Sequence, residues 1–440
     1  MARARSRQAE RADVQLGRFA ADGTIPIELS GRRVAVEGGI PTETARIAVS
    51  GRGNRWHGDV VAVLEGAPER VTPRCPVVAT CGGCEWQHLT HEGQLKHKAA
   101  IVRRLLASRR LPTRIDAVVP MPDPWHYRVR AQIALGPVAG FRERRAKRIV
   151  RLTTCPVVHP LIDRFLEQTN RLVKLAEIPD FGGTLLLHAQ VAGRAEDRAL
   201  QLTLEGVDGR VITGPEEIRD VAERLGALRG VQSVAWLDAD GVAHPVVGDL
   251  FAVIEVGDTL YTLPSGSFFQ SNIQLLPALL RHVRELADLN GTETVADLYG
   301  GIGLLGLAVA DRARQVTVIE IDPLASEGAR RAAAARGLTH VDVVAAPAEV
   351  AVADLPAVDR VIVDPPRTGL DRRVIDAVVE RQVPTIVYVS CNPATFARDA
   401  AAFVAAGYTL DRLSLWDFYP QTVHAEVIAR LVRPPSIHGT

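Results

Sequence analysis

The chain has no uninterrupted apolar run near the ~18 residues that a membrane-spanning helix requires. Nor does an apolar stretch follow its basic start, Met1-Ala2-Arg3-Ala4-Arg5-Ser6-Arg7. A secretory signal is thereby excluded, and residues 1–10 read as a disordered basic tail on a cytoplasmic protein rather than an Arg-rich transit peptide. Charge of one sign is also missing: 52 Lys and Arg stand against 51 Asp and Glu, a formal net charge of +1. No global field announces a nucleic-acid partner, so that case rests on local patches. Cysteines number only five. An odd count without a signal argues against a disulfide framework and for metal binding or catalysis. Internal repeats are absent, and the one biased stretch, the Ala/Arg-rich 329–336, reads as a helix.

What is present is a chain of 440 residues, 47% hydrophobic, long enough for roughly two to four domains with sizeable cores. Residues 11–73 alternate short β-branched runs with Gly and Pro turns, as in Arg33-Val34-Ala35-Val36 and Asp59-Val60-Val61-Ala62-Val63-Leu64. That pattern predicts a small OB-like β-barrel. A central region, 74–262, opens on a cysteine-rich loop, continues through a helix from about Glu92 to Arg110, and is β-rich from about 126. The helical segment 91–111 is expected to pack on the C-terminal domain. From 263 to 434, near-continuous apolar strands alternate with helices: Val295-Ala296-Asp297-Leu298, Val316-Thr317-Val318-Ile319-Glu320, Val358-Asp359-Arg360-Val361-Ile362-Val363 and Thr385-Ile386-Val387-Tyr388-Val389. The fold class is α/β, with a parallel Rossmann-like sheet covered on both faces. Ligands then sit beyond the carboxyl ends of the strands. Asp297, Glu320, Asp364 and Cys391 all fall there.

Gly301-Ile302-Gly303-Leu304-Leu305-Gly306 fits G-x-G-x-x-G, and Glu320 follows at a distance suited to ribose hydroxyls. A dinucleotide and S-adenosylmethionine both fit that pattern. Asp297, just before the glycines, suits the donor's ammonium group and is awkward beside a pyrophosphate. The loop alone does not choose between them.

Cys391 lies in Val389-Ser390-Cys391-Asn392-Pro393, a strand-to-helix turn in which Asn is a favoured N-cap and Pro a favoured first helical residue. The helix dipole there favours a thiolate. An isolated cysteine is more often buried and inert, but Asp364-Pro365-Pro366-Arg367 at the neighbouring strand end favours a nucleophile. Such a thiolate beside a methyl donor solves a definite problem. Carbon-5 of uracil is a poor nucleophile, and adding a thiolate to carbon-6 makes it enolate-like. A base must then remove the carbon-5 proton. Glu426, in His424-Ala425-Glu426-Val427-Ile428, is the candidate; by itself it reads as a solvated strand carboxylate.

At these residues the chain resembles the uracil-C5 RNA methyltransferase family, in particular its iron–sulfur-containing ribosomal branch, over nearly its whole length. The matching motifs are Phe268-Phe269-Gln270-Ser271-Asn272, Asp364-Pro365-Pro366-Arg367, Ser390-Cys391-Asn392-Pro393 and Pro420-Gln421-Thr422-Val423-His424-Ala425-Glu426. The resemblance implies an RNA-binding TRAM domain at the N-terminus and a class I methyltransferase domain at the C-terminus. It further implies that Gln270, Tyr299, Glu320 and Asp364 contact S-adenosylmethionine, that Cys391 attacks carbon-6, and that Glu426 takes the proton. Gly300 and Leu304 stand where the family commonly has Cys and Asn.

Cys75-x5-Cys81-x2-Cys84, with Cys155 joining from afar, is a three-plus-one set. Structural zinc more often takes two local pairs, whereas a [4Fe-4S] cluster accepts one remote thiolate. The ribosomal branch carries this spacing, so the resemblance implies a cluster, and a structural, RNA-facing role is expected for it. Arg142, Arg144, Arg145, Lys147, Arg148 and Arg151, with Arg128 and Arg130, are expected to form a phosphate-binding face beside the cluster. Lys96, Lys98, Arg103 and Arg104 either extend that surface or form a helix's solvent face.

The expected substrate is RNA, 23S ribosomal RNA first and transfer RNA second, with the target base unpaired or flipped and the enzyme a monomer. A different class, an iron–sulfur RNA-binding or dinucleotide-dependent redox protein, stands as the alternative. Cytosine-C5 methylation is disfavoured, because it typically needs a second catalytic cysteine and the other four are claimed by the cluster.

Overall fold

Period-two alternation builds the N-terminal unit, in which Val34 and Val36, then Ala45, Ile47 and Val49, point into a shared core. The computed structural model describes residues 10–178 and 183–434. The tail expected over 1–10 therefore lies outside the described residues except for Glu10, which opens the strand Glu10–Gln15. That strand lies at one edge of a five-stranded sheet, followed in space by Thr44–Arg52, Arg55–Glu65, Arg32–Glu37 and Ile25–Leu29.

The central region is dominated by a nine-stranded, mostly antiparallel sheet. Its longest pair, Leu185–Arg194 against Asp197–Gly206, runs in unbroken register. Leu185, Leu187, Ala189 and Val191 face the core, while His188 and Gln190 occupy the other face as the strand period requires.

Eight strands form the C-terminal sheet, in the spatial order Val341–Ala345, Gln315–Glu320, Thr294–Leu298, Arg360–Val363, Thr385–Ser390, Glu426–Val432, Thr409–Trp416, Ala117–Val119. The first five are parallel. Alternate residues feed two separate cores: Val295, Ile362 and Val387 pack into one, and Ala296, Val361 and Ile386 into the other. Burial on both faces is why these strands read as continuous apolar runs. Chain order reverses between Thr294–Leu298 and Arg360–Val363, so a topological switch point opens between Asp297 and Asp364. The eighth strand, Ala117–Val119, comes from outside the 263–434 stretch and pairs with Thr409–Trp416.

The first helix, His91–Ser108, starts where Thr90 Oγ1 accepts the Gly93 N–H at 3.1 Å. Its Val102 and Leu106 pack beside Phe396 and Phe403 of the helix Pro393–Ala405. Lys98 overturns both readings offered for it, because it is neither on the solvent face nor on an RNA surface. Its side chain is fully buried, with Nζ 2.6 Å from Asp417 Oδ1 and 2.9 Å from the Tyr419 carbonyl. His91 Nε2 holds the other Asp417 oxygen at 2.7 Å. Removing one partner of a buried ion pair strands the other charge. Lys98→Met is therefore expected to lower stability by about 3–5 kcal/mol, read from the midpoint of chemical denaturation. A loss within the scatter of surface substitutions would show that the pair does not hold this helix. No described helix is long and apolar enough to cross a membrane.

Candidate active site and cysteine cavity

The loop after Thr294–Leu298 turns tightly, with Tyr299 at φ +60° and Gly303 at φ +79°. Asp297 lies beneath it, fully buried, and its Oδ2 accepts the Gly306 N–H at 2.7 Å. A Cβ on Gly306 would stand 2.8 Å from that oxygen, so the third glycine of the motif is needed to let the helix Leu304–Val309 approach. Asp297 Oδ1 is buried without a partner. Burial pushes this carboxyl up to about 7; the Gly306 N–H opposes the shift, and the charges of Asp364 and Glu320 add to it.

Glu320 ends its strand with both carboxylate oxygens on backbone, accepting Gly301 N–H at 2.8 Å and Asp322 N–H at 2.7 Å. It holds the glycine loop in place and also lines, with Tyr299, Ile321 and Glu349, a cavity of about 430 Å³. Ile321, at 64% exposure, is an apolar side chain left open at a strand end. Leu304 is buried in the core, and its carbonyl accepts the Tyr261 hydroxyl at 3.3 Å.

Across the switch point, Gln270 Nε2 donates to Asp364 Oδ2 at 2.9 Å. Burial pushes Asp364 up to about 7 against that hydrogen bond. Cys391 is half-buried beside the N-terminus of the helix Pro393–Ala405, where Asn392 caps the helix by accepting the Ala394 N–H at 3.1 Å. The expectation of a thiolate favoured by the dipole is reversed. Burial, then the charges of Glu426 and Asp364, push the thiol up to about 12, with Arg367 pulling the other way. A half-charge at a helix end is outweighed by two nearby carboxylates in a partly dry site.

Glu426 is not a solvated strand residue. It is 1% exposed, and neither carboxylate oxygen has a hydrogen-bond partner. Burial and the charge of Asp364 raise it well above the usual carboxylate range. Tyr419, which sequence reading missed, belongs to the same group: burial raises its phenol, and Glu426, Cys391 and Asp364 each add to the shift. No spacing pattern singles out that tyrosine. Burial thus makes Asp297, Asp364 and Glu426 each resist ionisation, and a cationic ligand beside them is what would favour their charged forms. The sulfonium and ammonium groups of S-adenosylmethionine fit that requirement.

Cys75, Cys81, Cys84 and Cys155 are buried, free of disulfides, and line one cavity of about 800 Å³ together with Arg128, Arg130 and Arg144. Burial raises Cys81, Cys84 (to about 12) and Cys155, and the cysteines' charges on one another add to each shift. Four thiolates here repel one another unless a cationic centre lies between them, and iron is such a centre. Among the described residues no group of three His, Cys, Asp or Glu is arranged to hold a metal ion. The structure therefore brings the cysteines to one cavity and leaves them short of ligating geometry. Arg367 lines both this cavity and a smaller one of about 290 Å³ beside Cys391.

The basic run is largely paired within the protein. Arg144 and Arg145 reach Glu37 at 2.8 and 3.0 Å, and Arg142 reaches Asp208 at 2.7 Å. Two of these arginines therefore tie the cysteine region to the N-terminal sheet. Arg130 instead points its guanidinium over the Phe268 ring, 5.2 Å from the centroid, and Phe268 is 62% exposed.

Residues 349–433 match the family described as tRNA (Uracil-5-)-methyltransferase, and residues 275–383 match the methyltransferase small domain. The "23S rRNA (uracil(1939)-C(5))-methyltransferase RlmD" of Chromohalobacter salexigens is 31% identical over 430 residues, covering 96% of this chain and 89% of the relative. An "Uncharacterized RNA methyltransferase" of Bacillus cereus is 30% identical over 438 residues, covering 93% and 94%. Among solved structures, the tRNA (uracil-54, C5)-methyltransferase of Pyrococcus abyssi, crystallised with S-adenosyl-L-homocysteine, superposes with a TM-score of 0.73 at 24% identity. It covers 96% of this chain and all of that one, a likeness of fold.

Proposed function

This chain belongs to the RNA uracil-5 methyltransferases, S-adenosylmethionine-dependent enzymes, and from that membership we propose that it methylates C5 of one uridine in 23S ribosomal RNA through a covalent adduct on Cys391. The choice of ribosomal RNA is carried by the near-full-length identity to a relative named for that substrate. S-adenosylmethionine supplies an electrophilic methyl group, and we assign Gln270, Tyr299, Glu320 and Asp364 to its binding.

Cys391 loses its proton and adds to C6 of the flipped uracil, which places enolate character on C5. Arg367 favours the thiolate that does this. Once C5 has taken the methyl group from the sulfonium, whose S–CH3 bond breaks to release S-adenosylhomocysteine, Glu426 removes the remaining C5 proton, the C5–C6 double bond re-forms, and the Cys391 sulfur leaves as thiolate. Burial without hydrogen bonds makes Glu426 a strong base when ionised, because nothing in the protein stabilises its charge. The exposed Phe268 ring and the neighbouring Arg130 suit an unstacked nucleotide and its phosphate.

We further assign Cys75, Cys81, Cys84 and Cys155 to a [4Fe-4S] cluster and the five-stranded N-terminal sheet to a TRAM-type RNA-binding domain, in a monomeric cytoplasmic enzyme. The functional test is transfer of labelled methyl groups from S-adenosylmethionine to unmodified 23S and transfer RNA, by protein purified without oxygen and assayed for iron and labile sulfide. Label should appear as 5-methyluridine in 23S RNA. Its appearance in transfer RNA alone would overturn the substrate assignment, and protein active without iron or sulfide would overturn the cluster.

A further inference from the structure

Glu426 makes no hydrogen bond through either oxygen, so no polar contact fixes its carboxylate. Its position follows from its backbone: Glu426 pairs with Trp416 at the start of the strand Glu426–Val432, and the 417–425 segment is the turn that joins the two. Five residues upstream, Gln421 takes a left-handed conformation at φ +69°, unusual for a non-glycine residue, and is 2% exposed. A backbone bent in this way persists only where its surroundings over-determine it.

Those surroundings are one side chain above all. Gln94, on the first helix and fully buried, accepts the Gln421 backbone N–H on Oε1 at 2.7 Å and donates from Nε2 to Gln421 Oε1 at 3.1 Å. The same Nε2 reaches the Trp86 and Leu89 carbonyls at 3.1 and 3.2 Å. From the other side, the Gln421 carbonyl accepts the N–H groups of Glu85 and Trp86, next to Cys84. The bend before Glu426 is thus clamped between a helix and the cysteine loop, both from the first quarter of the chain.

We propose that Gln94 is a positioning residue for the proton-removing step, acting through its two-way amide pair with Gln421 to set where Glu426 stands. The inference rests on the reading of Glu426 as the base. Loss of the pair leaves Cys391, the donor contacts and the Arg130–Phe268 surface intact, so addition to C6 and methyl transfer proceed while release of the enzyme from the product slows.

The test compares wild type, Gln94→Ala, Gln421→Gly and Glu426→Gln for kcat, for KM toward RNA, and for RNA–protein adduct on denaturing gels. Gln421→Gly suits the left-handed backbone and removes the side-chain arm of the pair, together with the 3.4 Å contact from Gln421 Nε2 to the Pro124 carbonyl, while keeping the backbone N–H bond to Gln94, so it decides the matter should Gln94→Ala fold poorly. A displaced base typically costs about a hundredfold in rate, so Gln94→Ala should lose about that much in kcat with KM changed by less than about twofold. It should also accumulate the adduct seen with Glu426→Gln. A raised KM without adduct, or wild-type turnover in both variants, would overturn the proposal while leaving Glu426 as the base. Absence of adduct with Glu426→Gln itself would sink the role of Glu426 and this inference with it.

Discussion

Cys391→Ala is expected to abolish 5-methyluridine formation and, with it, every trace of covalent RNA–protein complex, while the protein still folds and binds the methyl donor. Uncharged C5 of uracil does not attack a sulfonium carbon at a useful rate, so the loss should be on the order of 10⁵-fold, as for other covalent nucleophiles. Serine should not restore activity, because its hydroxyl is far harder to ionise beside Glu426 and Asp364. The raised thiol gives this prediction a pH signature. With Cys391 pushed up to about 12, the thiolate is the minor form at neutral pH and its fraction grows as pH rises. Alkylation of Cys391 by iodoacetamide, read by difference against Cys391→Ala, should therefore accelerate about tenfold per pH unit from neutral into the alkaline range. Arg367→Ala removes the opposing positive charge and should slow that alkylation at any given pH. A plateau near neutral pH would mean that the thiolate is already formed, and the carboxylates would then not govern it.

Much of this arrangement was legible because it follows from local rules. Continuous apolar strands separated by helices implied a parallel sheet, and strand ends implied a ligand site. Glu320 does end its strand, Asp297 lies one residue before the end of its own, and Asp364 and Cys391 follow directly on theirs. What escaped is long-range. Lys98 lies on a helix whose spacing allows a solvent face, but its partner Asp417 is 319 residues away. The three-residue strand Ala117–Val119 is too short to carry a pattern. The helix that follows Cys391 points to a favoured thiolate, whereas burial first, and then Glu426 and Asp364 from other strands, push its thiol the other way. Spacing alone points Glu320 at ribose hydroxyls. That its oxygens also bind the Gly301 and Asp322 N–H groups could not be seen without the turn. The cysteines show the same division, since their spacing suggests a shared site but not how closely the four sulfurs meet.

Glu426→Gln should separate the two halves of the reaction. The amide is nearly isosteric and neutral, so the site keeps its shape and loses only the group that accepts the C5 proton. Cys391 should ionise somewhat more readily, because one of the carboxylates that raise it is gone. Addition to C6 and methyl transfer should then proceed once per enzyme, after which the adduct cannot eliminate. Turnover should fall by about 10²–10⁴-fold, the usual contribution of a positioned base, with up to one labelled methyl per enzyme retained in a band resistant to denaturant. The pH behaviour follows from burial. Glu426 is raised well above the usual range, so the wild-type release step should weaken as pH falls through that raised value and the carboxyl gains its proton. Wild type at low pH should therefore begin to resemble Glu426→Gln, and adduct should build up on acidification. If acidification instead removes all adduct while Glu426→Gln turns over normally, the proton leaves C5 by another route, with Tyr419 the nearest candidate because its phenol feels both Glu426 and Cys391. Tyr419→Phe, which keeps the ring and deletes the hydroxyl, would then be the variant that traps the adduct.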